Sequence, residues 1–322
     1  MPAYRNILVV EKTARYHRAR YLDNIARVLG GEKSLLCEAR FWKLMRCDLL
    51  VCSTCDDYFI RFFLLSLFRW FSGAGRLRTI GISIRSEYCF SGGAAKYYIK
   101  RSMLRALKNL KLAEVYSTNI ALSREIVEKN LAGVVVDPII YCSLKHKRML
   151  GTNTYNVVYL GGINKSRGVF NFFEYLEKNE INTEIYVGRY LLAGRLEIGA
   201  QTAELQRFIR RGGELVVGYL EEETYTKMLE AADLVWAMQE SDYDQSSGVF
   251  FEGLVLGKKV AARKGAAIEN MSLKLGAAVN SEFKLSNSTG VIVQLTDLEH
   301  MKRELKKSLE VLSHAHKCPQ PR

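Results

Sequence analysis

The 322-residue sequence predicts an α/β protein built from two Rossmann-like domains, residues 1–150 and 151–322, facing each other across a cleft. Three observations carry that expectation. The length is long for a single core and comfortable for two of about 150 residues each. Short runs rich in Val and Ile alternate with helix-length amphipathic segments along the whole chain, which is the pattern of parallel sheets. Two such sets are separated by a polar stretch at 143–156.

In the first half, strands are expected at 7–10, 49–52, 79–84, 115–117 and 134–136, each a brief aliphatic run. Helices fall between them at 15–29, 57–71, 96–112 and 122–131. In the second half, strands are expected at 157–160, 184–187, 214–217, 234–237, 259–262 and 277–279. Helices are expected at 168–178, 200–211, 221–231, 247–256, 267–275 and 296–313. The last of these, TDLEHMKRELKKSLEVLSHAH, is expected to pack on the body of the protein, followed by a loose tail after Lys317.

Composition narrows the class. Nearly half the residues are hydrophobic and a quarter are charged, as in soluble globular proteins. No run reaches the roughly 18–20 apolar residues of a membrane span. The start, MPAYRNILVVEK, leads straight into a strand pattern, so no cleaved signal peptide is expected. The seven cysteines show no framework spacing. Cys52 and Cys55 form a C-x-x-C without a second pair or a histidine at zinc spacing, so reduced thiols and a cytoplasmic location are expected. His314, His316 and Cys318 lie in the tail and make a poor metal tract. Neither G-x-G-x-x-G nor a P-loop occurs: Gly73-Ala74-Gly75 lacks the third glycine, which argues against NAD-dependent and P-loop enzymes. Residues 1–150 carry 26 Lys and Arg against 12 Asp and Glu, whereas 151–322 carry 21 against 22. The excess positive charge therefore sits in the first half, which is suited to an anionic partner.

The most informative stretch is DQSSGVFFEGLVLGKK at 244–259. It places a carboxylate eight residues ahead of another, with Ser-Ser-Gly opening a helix between two strand-like runs. Backbone N–H groups at a helix start suit phosphates, and carboxylates suit sugar hydroxyls. Upstream lie a glycine-basic segment, YLGGINKSRGVF at 159–170, and a strand-helix unit from Gly218-Tyr219-Leu220 to Ala232-Asp233. Together these segments resemble the donor-binding half of GT-B glycosyltransferases, nearest to the retaining, nucleotide-sugar-dependent glycosyltransferase family 4. The resemblance covers about the C-terminal half; the N-terminal half is similar only in element order.

The resemblance implies transfer of a sugar from a nucleotide diphosphate to an acceptor hydroxyl without a metal, and no cofactor beyond that substrate. It implies that Lys165 and Arg167, with the backbone of Gly161 and Gly162, take the charge of the leaving diphosphate. Where the family usually has Arg after its first glycine, this chain has Gly162, and Lys165 is the candidate substitute. Glu252 matches the second glutamate of the signature, which accepts ribose hydroxyls. Asp244 stands for the first, beside the donor sugar, with Asp242 and Glu240 as alternative carboxylates. Gln245, Ser246, Ser247, Gly248 and Val249 are implied to line the donor site, the last two as N–H donors to phosphate. Tyr219 and Leu220 fall where the base is held, Tyr219 being either a stacking platform or core.

The acceptor side is thinner. The family often has a histidine after the strand at 79–84, and this chain has Arg85-Ser86-Glu87 there, which makes Glu87 a candidate. His17 follows the first strand among arginines. Asp56 and Asp57 follow the second and are candidates for a general base or a helix cap. Two segments are candidate partners for an anionic membrane surface: FIRFFLLSLFRWF at 59–71 and the basic amphipathic stretch at 96–111. The expected partners are thus a nucleotide-sugar donor, a glycan or lipid-linked acceptor, and the inner face of the cytoplasmic membrane. No nucleic-acid module is present, and nucleic acid is not expected. The alternatives are an inactive, scaffolding relative and a nucleotide-sugar epimerase of the same fold.

Overall fold

The structure is a computed structural model describing residues 4, 6–13, 17–73, 77–84, 95–118, 133–134, 154–180, 183–243 and 247–313. The chain divides into two compact units: Met1–Cys142 together with Arg303–Arg322, and Ser143–Lys302. The C-terminal helix was expected to belong wholly to the second domain. Its final part belongs instead to the first unit, where the Leu312 carbonyl accepts a hydrogen bond from Arg78 at 3.5 Å and Leu305 and Leu312 are fully buried.

Among the described residues, the first unit holds a six-stranded parallel sheet in the order β2-β1-β3-β4-β5-β6. Its strands are β1 (Ile7–Glu11), β2 (Glu32–Leu35), β3 (Leu49–Cys52), β4 (Arg78–Ser83), β5 (Glu114–Ser117) and β6 (Gly133–Val134). The helices are α1 (His17–Leu29), α2 (Phe41–Arg46), α3 (Phe59–Gly73) and α4 (Ala95–Asn109). The apolar strands β1 and β3 are buried almost throughout, as central parallel strands must be. The periodicity did not flag β2: its sequence, Glu-Lys-Ser-Leu, is polar because the strand lies at the sheet edge, half exposed. The short α2 was likewise unanticipated. The helix expected at 122–131 lies outside the described residues. Strand order reverses between β1 and β3, the topological switch point of this sheet.

The second unit holds a seven-stranded sheet in the order β12-β13-β11-β10-β7-β8-β9. Its parallel strands are β7 (Tyr155–Leu160), β8 (Tyr190–Gly194), β9 (Glu214–Val217), β10 (Ala232–Trp236) and β11 (Lys259–Arg263). An antiparallel hairpin, β12 (Ala277–Lys284) and β13 (Thr289–Leu295), is added beside β11. Two expectations are corrected here. Residues 184–187 form no strand, because Ile185 and Val187 point into solvent; the strand is the fully buried Tyr-Leu-Leu-Ala-Gly that follows. The sheet is also not all parallel, since β13, missed in the sequence, runs against β11. The helices are α5 (Val169–Asn179), α6 (Ala203–Arg210), α7 (Glu222–Glu230), α8 (Gly248–Val255), α9 (Ala267–Lys274) and α10 (Leu298–Ser313).

The core of this unit is aromatic. Tyr159, Phe172, Phe173, Phe208 and Trp236 interlock with ring centroids 5.7–5.9 Å apart in tilted and edge-on pairs. α8 packs down on β10 and β11 because Gly253 has no side chain: a Cβ there would meet Val260 at 3.0 Å. The order of the parallel strands reverses between β7 and β10, and the loops leaving those two strands flank the switch point.

Candidate functional site

The loop after β7 is built from its own hydrogen bonds. The Tyr159 hydroxyl donates to the carbonyl of Gly162 at 2.7 Å and to that of Arg167 at 3.3 Å, tying the two ends together. Burial pushes the Tyr159 phenol well above its ordinary pKa, so it remains a donor. Asn164 accepts from the Arg167 N–H at 2.9 Å and donates to Glu197 at 2.8 Å. The Gly168 N–H closes the turn onto the Lys165 carbonyl at 2.8 Å. Three glycines are required by geometry rather than preference. Gly161 and Gly168 have φ of 114° and 76°, and a Cβ on Gly168 would lie 1.8 Å from the Met238 carbonyl oxygen. At Gly194 (φ 144°), ending β8, a Cβ would lie 1.8 Å from the carbonyl oxygen of Gly161.

These constraints bring the cationic candidates together with bare backbone. The Arg167 side chain runs along the glycines, so that a methyl on Gly161 would sit 3.6 Å from its Nη1 and one on Gly162 3.4 Å from its Cδ. Its guanidinium lies 5.7 Å from the centre of the Tyr243 ring. Lys165 is exposed on the same loop. Across the switch point, the Glu240 N–H donates to the Ser166 carbonyl at 3.0 Å, fastening the loop after β10 to the loop after β7. The Glu240 carboxyl has a raised pKa, first through burial and then through the charge of Asp242, with Lys165 and Arg263 acting in the opposite direction.

α8 supplies the other side. The Ser247 hydroxyl caps it, accepting from the Phe250 N–H at 3.3 Å, and Gly248 and Val249 form its half-buried first turn. Glu252 is buried, and its Oε2 accepts a hydrogen bond from the Tyr225 hydroxyl on α7. Asp244, Gln245 and Ser246 lie outside the described residues. After β9, Gly218 takes a φ of 133°, Leu220 is half buried, and Tyr219 is 74% exposed, which removes the core alternative for that ring.

No protein-family model and no curated protein matches the chain. Solved structures do match. The glycosyltransferase AviGT4, involved in avilamycin A biosynthesis, superposes with a TM-score of 0.50 at 10% identity, covering 96% of this chain and 92% of its own. An Escherichia coli trehalose-6-phosphate protein bound with UDP-2-fluoro glucose gives 0.53 at 10% identity, over 95% and 90%. An alpha-glucosyltransferase in complex with UDP and a 13-mer DNA containing an HMU base gives 0.50 at 9%, over 96% and 90%. The fold is GT-B. At these identities the likeness concerns the fold alone.

In this GT-B chain two of the first-unit candidates follow the strands β1 and β3. His17 is the first residue of α1, and Asp56 sits inside the 3-10 turn Cys55–Tyr58. Asp57 is ion-paired with Arg18, which accounts for its charge without invoking catalysis. Glu87 lies outside the described residues. A carboxylate the sequence reading passed over lies at the switch point of this unit. Glu11, fully buried at the end of β1, accepts from Ser53 at 2.5 Å, from Thr54 at 2.6 Å and from the Lys12 N–H at 2.7 Å. In the second unit the unforeseen residues are Tyr225, Tyr243, Asn164 and Glu197. Tyr225, Tyr243 and Glu197 were not signalled locally, because their contacts join separate elements, whereas Asn164 bonds the Arg167 N–H within its own loop. Among the described residues, no group of three His, Cys, Asp or Glu could hold a metal ion.

Proposed function

We propose that the chain is a glycosyltransferase that moves a sugar from a nucleotide diphosphate sugar to an acceptor hydroxyl on a lipid-linked or growing envelope glycan. The donor would occupy the switch point of the second unit. The observation that carries this reading is the pairing of a bare glycine turn under Arg167 with a buried Glu252 on the neighbouring helix. The first is suited to a diphosphate and the second to ribose hydroxyls.

In this reading Arg167 and Lys165 neutralise the diphosphate as the anomeric bond breaks, and the N–H groups of Gly248 and Val249 bind its oxygens. Glu252, held in place by Tyr225, orients the ribose, and exposed Tyr219 stacks on the base. Asp244 faces the transferred sugar, with Glu240 as the second candidate. Burial raises the Glu240 pKa, the direction that favours a carboxyl able to hold and release a proton. Retention of the anomeric configuration and independence from metal follow from the resemblance to family 4, and the basic first half suits an acceptor at a cytoplasmic membrane face.

A thermal-shift panel of UDP, GDP, ADP and their sugar conjugates tests the donor site. A ligand at about 100 times its Kd adds roughly 2.7 kcal/mol and raises the melting temperature measurably. One nucleotide should stabilise the wild type and fail to stabilise Glu252→Ala. A flat panel on folded wild type would overturn the reading and favour a scaffolding protein. Transfer that persists undiminished in EDTA is expected; abolition by EDTA and rescue by a divalent ion would reject the metal-free chemistry. Turnover of donor with no acceptor present would identify an epimerase instead.

A further inference from the structure

α3 is apolar on both its inner and its outer face, and its one fully buried charge points inward. The residues it turns towards the sheet include Phe59, Phe62 and Ser66, and with them Arg69, a charged residue with no exposed surface. The opposite face carries Ile60, Leu64, Phe68 and Phe71, which fall within an arc of about 80° at 100° per residue. All four are exposed, Phe68 at 57% and Phe71 at 69%. A surface helix normally points its charge outward and its apolar stripe inward. Here the outward stripe continues onto both neighbours. α2 and α4 each pack against α3, and they expose Trp42 (66%) and Tyr98 (59%). A run of large exposed apolar side chains on three adjoining helices marks an interaction surface.

The charge around the stripe decides between occupants. From 58 to 113 the chain has eleven Lys and Arg and a single acidic residue, Glu87. Arg61, Arg105 and Lys108 are exposed on α3 and α4. Lys96 and Arg101 lie over the rings of Tyr97 and Tyr98, at 4.9 and 4.7 Å. Two copies of this face would bring like charges together, which opposes self-association. An anionic bilayer satisfies both features at once, taking the aromatic side chains among its acyl chains and the cations at its headgroups. Among the described residues no helix is long and apolar enough to cross a membrane, so the stripe would lie in the interface and not span it.

We propose that the outward face of α3, bordered by Trp42 of α2 and Tyr98 of α4, is the surface by which the protein lies on an anionic membrane. This deepens the acceptor side of the proposed function and rests on it for the biological bilayer. Vesicle binding is measured without sugar transfer, however, so either can fail alone.

The test is co-sedimentation of the full chain with vesicles of phosphatidylcholine alone or mixed with phosphatidylglycerol. Wild type should bind the anionic vesicles at least about tenfold more tightly, as expected if several cations each contribute about fivefold. Phe68→Ser/Phe71→Ser should lose that binding while keeping its melting temperature, since both side chains face solvent. Arg61→Glu/Arg105→Glu, which leaves the stripe intact, should lose the preference for anionic lipid by tenfold or more. Wild type that stays in the supernatant overturns the proposal, as does undiminished binding by either folded variant. A dimer in sedimentation that Phe68→Ser/Phe71→Ser converts to monomer, with no vesicle binding, assigns the face to a second copy and overturns it equally.

Discussion

Gly168 shows how much of the loop after β7 depends on one missing atom. Its φ of 76° and the Met238 carbonyl oxygen, 1.8 Å from where a Cβ would be, leave no room for a side chain. Gly168→Ala should therefore destabilise the second unit by about 2 kcal/mol or more. Gly218→Ala, whose φ of 133° is less accessible to alanine but which meets no atom within 4 Å, should cost less than that steric clash. Urea denaturation of the two variants checks the order. A second residue-scale prediction concerns pH. Burial alone would raise the pKa of Glu180, but the Tyr190 hydroxyl at 2.6 Å, the amides of Gly188 and Val187, and the charge of Arg211 hold it below the ordinary value. A carboxyl lowered in the folded state adds stability that is complete above its unfolded pKa and is lost as pH falls through the folded one. Stability should therefore decline below about pH 4.3, and Glu180→Gln should flatten that part of the profile. An unchanged slope in the variant would remove Glu180 from the account. The sequence reading reached Glu252 through its spacing from Asp244. It could not reach Tyr225, because the bond between them exists only once α7 and α8 are brought together.

At the scale of elements, α3 is the informative case. Arg69 has no carboxylate partner among its hydrogen bonds and is satisfied by Thr79 at 2.9 Å and by the carbonyls of Leu44, Cys47 at 2.9 Å and Arg78 at 3.1 Å. It thereby fastens α2, α3 and β4 to one another. Arg69→Ala should leave those acceptors buried and unpaired and cost on the order of 3 kcal/mol or more. Arg69→Lys should rescue little of this, since an ammonium cannot span the same acceptors. Chemical denaturation of both variants tests the claim; a full rescue by lysine would contradict it. Legibility among the other elements follows burial. β1, β3, β10 and β11 were readable because each central parallel strand carries an unbroken apolar run of three or more residues. β2 was not, because an edge strand can be polar. The alternation of Ile185 with Val187 imitated a strand although both side chains point into water, while the true strand, β8, is a continuous apolar run.

At the scale of the molecule, the division into two α/β units was legible because each repeats the strand-helix alternation and a polar stretch separates them. The destination of the last helix was not, since its amphipathic pattern says that it packs and not where. Residues 303–322 belong to the first unit, with Leu305 and Leu312 fully buried and the Leu312 carbonyl bound to Arg78. Truncation after Lys302 should therefore raise amide exchange in β4 and β5 far more than in β7, β8 or β10. Hydrogen exchange with mass spectrometry would show this, and equal protection in the two sheets of the truncated chain would refute it.

That return of the chain also sets an order of events on the ribosome. The second unit, 143–302, is one continuous stretch and has all of its residues before residue 303 is added. Most of the first unit is translated earlier, but it lacks its closing helix until residues 303–313 emerge. The part of the protein made first is therefore the last that can be finished. Until residues 303–313 are added its sheet is one helix short, and a chain ending at residue 302 holds every residue of the second unit but not of the first.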